Sequence, residues 1–265
     1  MIDVSQPVFK AANRGYRYGD GFFETIRIVN GKIPLAGLHK SRVENSISLL
    51  NYVQPATQLS AIFTQAIELS ILNGCDKNAR IRLSFFNGNG SVYDGNQPLE
   101  YLIEATPLTE NFNALNEAGL SIGICSSVLK SCDSFSNIKS ANYLFSRVAV
   151  EFAKKNEWHD ALILNQYNRI CESAIANIFW IKENLIYTPP LTEGCVNGVM
   201  RKYLMSRVLI TEKNCQPADL QQADEIFFTN AVSGIRWVAA FEGKAFSNKM
   251  SKKLYQDHIF PLWFS

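Results

Sequence analysis

Lys139 sits in the run NIKSANY, where one cation is surrounded by small and amide side chains and by Tyr143. A partly desolvated lysine amine in such a setting can form a Schiff base with a carbonyl compound. Taken alone, a lysine just ahead of a helix is more often a solvated surface charge. Glu172 lies between the apolar-leaning segments RIC and SAIANIFWI, close to where a core is expected. A carboxylate there needs partners if it is buried; the plainer alternative is that it ends a strand at a turn and faces water. Arg42 follows His39 by three residues on an expected helix and shares a face with it. That pair suits an anion, although helical arginines mostly snorkel over apolar neighbours. EGCVNGVMR sets Gly194 and Gly198 ahead of another expected helix, whose first amides suit a phosphate but whose Gly and Asn are equally ordinary capping.

The elements that must position these residues can be read from periodicity. FFETIRIV and KIPLA alternate and are joined by Asn30-Gly31, which predicts a tight hairpin. Helical spacing of Val43, Ile47 and Leu50 predicts a helix over Leu38–Tyr52, and Ile62, Ala66 and Leu69 predict another over Ala61–Leu72. Strands are expected at Ala79–Phe86 and Leu99–Ala105, then a polar loop at Pro107–Glu117 containing Asn111, Asn113 and Asn116, which divides the chain into domains 1–110 and 111–265. Beyond it come a strand at Leu120–Ser126, a Ser-rich loop to Ser140, and a helix over Asn142–Lys155 with Leu144, Val148 and Phe152 on one face. Four short strands between Ala161 and Thr188 predict a curved sheet or small barrel in the second domain, which is expected to carry Lys139. A helix over Gly198–Leu209 and a strand over Glu225–Thr229 complete an α+β reading.

Composition narrows the function classes. With 265 residues, the chain is long enough for one large or two intimate domains. Its 26 basic and 24 acidic residues give no broad positive surface for nucleic acid or anionic membrane. Six cysteines form no CxxC pair and have no zinc-ligand spacing with the three histidines, so no metal site is expected, and reduced thiols in a soluble, cytoplasmic protein are. No apolar run approaches the roughly 20 residues that span a bilayer.

Order and spacing join the weak signals. RGYRYGDGFFETIRIVNGK, the H-x-x-R of His39 and Arg42, KSANYL at Lys139, ESAIANIFWIKENLIYTPP beginning 172 − 139 = 33 residues later, GVMR and FFTNAVSGIRWV occur in sequence over nearly the whole chain. This series resembles the class IV (fold-type IV) aminotransferase and lyase family. The resemblance implies a two-domain α+β fold of the D-amino acid aminotransferase type, with pyridoxal 5′-phosphate between the domains, and a homodimer. It further implies that Lys139 carries the cofactor and moves protons at the substrate carbon, that Glu172 pairs with the ring nitrogen, and that Tyr143 bonds the ring hydroxyl. Arg42 is implied at the phosphate, with backbone amides of Val199 and Met200 and of the Ala231 and Val232 region. The chain departs from the family pattern at Val199-Met200, where Ile-Thr is usual, at Ala231, where Ser or Thr is common, and at Trp237, where Pro is usual. Two hydroxyl contacts to phosphate are therefore expected to be missing.

Within the family, FETIRI, the short KSANY, RIRLSFFNGNG and TNAVSGIR look closest to aminodeoxychorismate lyases. That branch releases 4-aminobenzoate and pyruvate from a small-molecule amino substrate and supplies folate synthesis. Branched-chain or D-amino acid transamination is the alternative on the same machinery, and a cofactor-less binding or regulatory protein is the alternative of another class. Arg27 and Arg82 are candidates for substrate carboxylate, against the plainer reading of exposed strand positions.

Overall fold

A computed structural model describes residues 6–109, 112 and 114–264. The expected contributions of Asn111 and Asn113 to the interdomain loop lie outside these residues. The chain forms two compact units, one comprising residues 1–33, 39–107 and 139–142, the other residues 34–38, 108–138 and 143–265.

The first unit opens with the short helix α1 (Arg14–Tyr18), whose Asn13 cap accepts a bond from the Tyr16 amide and whose end is turned by Gly19 at φ 65°. Then follow β1 (Gly21–Val29), α2 (Ala36–Leu49), α3 (Leu59–Leu72), β2 (Asn78–Phe86) and β3 (Glu100–Pro107). The strands make an antiparallel sheet in the order β1-β2-β3. Asn30 and Gly31 do take positive φ angles, 49° and 70°. The expected hairpin is nevertheless reduced to a single bridge between Val29 and Lys32, because β1 pairs along its full length with β2 instead. The KIPLA segment leads straight into α2, and the Asn30 and Gly31 amides donate to Lys77 and Asp76 carbonyls just ahead of β2. On β1, Phe22, Ile26 and Ile28 alternate on one face with Glu24 among them, all buried.

The open edge of β1 carries a short strap formed by the segment 139–142. The Phe23 amide donates to the Lys139 carbonyl at 2.9 Å, the Ala141 amide donates to the Gly21 carbonyl at 3.0 Å, and Phe22 bridges Ser140. The expected assignment of Lys139 to the larger domain is thereby corrected: main-chain bonds to β1 tie the lysine and its three successors to the first unit.

The second unit contains β4 (Leu120–Lys130), α4 (Leu144–Lys155), β5 (Asp160–Asn165), β6 (Ile170–Ser173), β7 (Asn177–Lys182), β8 (Leu185–Thr188), α5 (Val199–Met205), β9 (Thr211–Glu212), α6 (Pro217–Gln221), β10 (Glu225–Asn230), β11 (Gly234–Phe241) and β12 (Lys244–Ala245). It ends with α7 (Lys249–Leu254), a π-helical turn over Tyr255–Ile259, and α8 (Phe260–Phe264). The strands form one mixed nine-stranded sheet in the order β6-β5-β4-β11-β10-β7-β8-β9, with β12 attached to β11. The Ile170 amide at the β6 end donates at 2.8 Å to Cys215, three residues past β9, so the sheet curls until its two ends meet at one bridge.

Of the apolar positions Leu144, Val148 and Phe152 on α4, Phe152 packs against the core, but the fully buried positions are others. Ser146, Ala149 and Ala153 point inward, while Leu144 is 69% exposed. Ala149 and Ala153 pack with Cys125, Ala161, Ile163 and Cys171. Small side chains let the helix lie close to the sheet, and hydrophobicity alone does not report that preference. Replacing Ala149 by Leu should cost about 1–3 kcal/mol through overpacking, whereas Leu144→Ala should change stability by less than about 0.5 kcal/mol; urea unfolding of both variants measures the difference.

Candidate active site

In the first unit, Glu24 points from β1 to α2, where its carboxylate meets both members of the H-x-x-R pair. Arg42 donates Nε to Oε1 and Nη2 to Oε2, each at 2.6 Å, and His39 Nδ1 lies 2.7 Å from Oε2. Glu24 and His39 are each about 1% exposed. Burial alone pushes the Glu24 carboxyl up, but the Arg42 charge and the hydrogen bonds from His39 and Arg42 outweigh it and hold the group down at about 2. A two-pronged guanidinium–carboxylate contact fixes the plane of Arg42 as well as its position. The anion that His39 and Arg42 share in the structure is thus an internal one, supplied by the chain.

Lys139 projects its amine over the Phe23 ring, 4.5 Å from the centroid, and the Arg82 guanidinium lies 3.9 Å from the same centroid. Arg27 is not an exposed strand residue: it is 1% exposed and donates Nε and Nη2 to Asn78 Oδ1 at 3.2 and 3.0 Å.

In the second unit, Glu172 on β6 is 4% exposed, which excludes a solvent-facing strand end. One carboxylate oxygen receives the Lys130 ammonium, and the other accepts the Val196 amide at 2.9 Å. Burial opposes a charge on Lys130, but the neighbouring Glu172 carboxylate more than compensates and raises its pKa. The loop that brings Val196 to Glu172 is pinned at several points. Arg169 grips the Glu193 carboxylate at 2.5 and 2.7 Å, and Asn137 Nδ2 donates to the Leu191 and Cys195 carbonyls at 2.9 and 2.7 Å. Gly194 has φ 87°, and a Cβ there would fall 2.2 Å from the Ser131 carbonyl oxygen. A Cβ on Gly198 would meet Asn177 Oδ1 at 1.9 Å, while Asn177 Nδ2 holds the Val196 carbonyl at 2.8 Å. These glycines permit close packing of the loop, a role beyond capping.

Gly198 caps α5, and the first intrahelical bond runs from Lys202 to the Gly198 carbonyl at 2.9 Å. The amides of Val199 and Met200 therefore precede the helix's own ladder, and both side chains are buried. In the turn between β10 and β11, Asn230 Oδ1 accepts the Val232 and Ser233 amides at 3.0 and 2.8 Å. The Val232 amide, which the resemblance implies at a phosphate, is thus bonded within the turn. One residue earlier, Thr229 Oγ1 is buried and lacks a hydrogen-bond partner among the described residues. Tyr143 stands at the start of α4, its hydroxyl 3.5 Å from the Ala174 carbonyl. Trp237 uses its amide to bond Asn116 Oδ1 at 3.0 Å, a bond that proline could not make.

Within the second unit, a buried carboxylate, helix-start amides and a buried hydroxyl without a partner among the described residues suit an anionic cofactor. Sequence reasoning missed Glu24 and Lys130. Glu24 had left a trace, a carboxylate on the apolar face of an alternating strand; Lys130 had left none, being the polar last residue of a strand.

The class IV aminotransferase family model matches residues 21–241. Aminodeoxychorismate lyase of Vibrio harveyi is 26% identical over 231 residues, covering 84% of this chain and 83% of that protein. D-alanine aminotransferase of Listeria innocua is 23% identical over 252 residues, covering 92% and 86%. The structure of Escherichia coli branched-chain amino acid aminotransferase superposes with a TM-score of 0.88 at 20% identity, over 99% of this chain and 92% of that one. The chain belongs to the class IV aminotransferase family and is a pyridoxal 5′-phosphate-dependent enzyme. Among the described residues, no helix is long and apolar enough to cross a membrane.

Glu24 has a testable pH signature. Its folded value of about 2 lies below the ordinary 4.5, so its contribution is present above pH 4.5 and is lost as pH falls through 2. Glu24→Gln should lower stability by about 3 kcal/mol at pH 7, and the gap from wild type should narrow as unfolding is measured from pH 5 down to pH 2.

Proposed function

We propose that the protein is a 4-amino-4-deoxychorismate lyase that releases 4-aminobenzoate and pyruvate and so serves folate synthesis. The observation that carries this reading is the likeness to the Vibrio harveyi lyase over 84% of the chain, joined to the FETIRI, KSANY and TNAVSGIR segments. D-alanine and branched-chain aminotransferases share the fold and the family at comparable identity, and transamination of amino acids with 2-oxo acids is the second reading.

When bound, pyridoxal phosphate supplies an electron sink for the substrate carbon that loses its proton. In this reading Lys139 would hold the cofactor and would take the proton from the ring carbon that bears the substrate's amine. Loss of this proton makes the ring aromatic as the carbon–oxygen bond to the enolpyruvyl group breaks. Lys139 is then the acid that returns the proton, pyruvate leaves, and no electrons are gained or lost overall. Glu172 would pair with the ring nitrogen, Tyr143 would bond the ring hydroxyl, and Arg42 would hold the phosphate with the Val199 and Met200 amides and the Ala231 turn. Arg42 would meet that phosphate already oriented by Glu24, and the buried Thr229 Oγ1, two residues before Ala231, would be a spare donor. The working unit in this reading is a cytoplasmic homodimer.

Incubated with enzymatically generated aminodeoxychorismate and no amino acceptor, the wild-type protein should release 4-aminobenzoate and pyruvate in equal amounts, and Lys139→Ala should release neither. A yellow, cofactor-loaded protein that releases nothing would overturn the lyase reading in favour of an amino-acid and 2-oxo-acid panel.

A further inference from the structure

Glu172 is held more tightly than a hydrogen-bond acceptor for one ring nitrogen requires. Lys130 comes from the last residue of β4 and is 6% exposed, and Glu172 comes from β6 and is 4% exposed. The Lys130 ammonium also lies 5.0 Å from the Phe145 ring centroid, and the buried thiols of Cys171 and Cys195 complete the surroundings. Such an ion pair is weakly justified by stability, since well-packed apolar replacements of buried pairs are often neutral or stabilising. Its chemical consequence is specific.

We propose that Lys130 is a positioning residue that fixes where the proton sits between Glu172 and the cofactor's ring nitrogen. This rests on the cofactor reading given above. A carboxylate facing a pyridine nitrogen in a water-poor site can share the proton in two ways, as the charged pyridinium–carboxylate pair or as the neutral pyridine–carboxylic acid pair. Low dielectric favours the neutral pair when nothing else is charged nearby. With an ammonium in contact with one Glu172 oxygen, moving the proton onto the carboxylate would strand a buried cation, so the charged form of Glu172 is retained and the proton stays on nitrogen. The Val196 amide on the other oxygen acts in the same direction and aims the carboxylate. The strength of the electron sink is thus set by a lysine that need not touch the cofactor.

The test is nitrogen-15 NMR of the protein loaded with ring-labelled pyridoxal phosphate, in wild type, Lys130→Met, Lys130→Gln and Lys130→Arg. The resonance should be that of a protonated pyridine in wild type and in Lys130→Arg, and should move to the unprotonated position in Lys130→Met and Lys130→Gln. Lys130→Gln provides the reading if Lys130→Met does not fold. A loaded Lys130→Met or Lys130→Gln with the wild-type resonance would overturn the role of Lys130 alone, as would an unprotonated nitrogen in the wild type. A folded wild-type protein that takes up no cofactor would instead overturn the reading beneath it.

Discussion

A carboxylate removed from water must be matched by cations or hydrogen-bond donors, and this constraint organises the chemistry of both units. Leaving one partner of a buried ion pair without the other costs about 3–5 kcal/mol, so a buried acid dictates the positions of the groups around it. Glu24 dictates the plane of Arg42 and ties β1 to α2. Glu172 draws the end of β4 and the Val196 amide onto β6. Each acid thereby converts a mobile side chain or loop into a fixed donor, and fixed donors are what catalysis on a bound cofactor needs.

The scaffolding around these acids is mostly main chain. Lys139 is held through its own carbonyl and the Ala141 amide, in a short strap along the edge of β1. The side chain itself lies over the Phe23 ring. The loop before α5 is placed by Glu193, Asn137 and Asn177, and its two glycines allow approaches that any side chain would block. The departures from the family pattern have local answers of the same kind. Trp237 bonds Asn116 through an amide that proline lacks, and Thr229 keeps a buried hydroxyl beside the turn where Ala231 has none.

The shared machinery explains why lyases and aminotransferases resemble this chain to a similar degree. Pyridoxal phosphate supports proton transfer at an amine-bearing carbon whichever bond breaks next. The choice between elimination and transamination depends on the pocket that orients the rest of the substrate.

By itself the sequence determined the α+β composition and most strands and helices to within a few residues, because alternation and helical spacing are local properties. It could not determine that β1 would bypass the Asn30-Gly31 hairpin in favour of β2, since pairing along the whole strand outweighs a two-residue turn and is a non-local gain. Nor could it determine that α4 would bury alanines in preference to Leu144, because close approach to a sheet depends on the shape of both surfaces. The partners of the acids were equally hidden. Glu24 and Arg42 are separated by 18 residues, and Lys130 and Glu172 by 42; only the tertiary structure decides which distant cation will face a carboxylate that has left water.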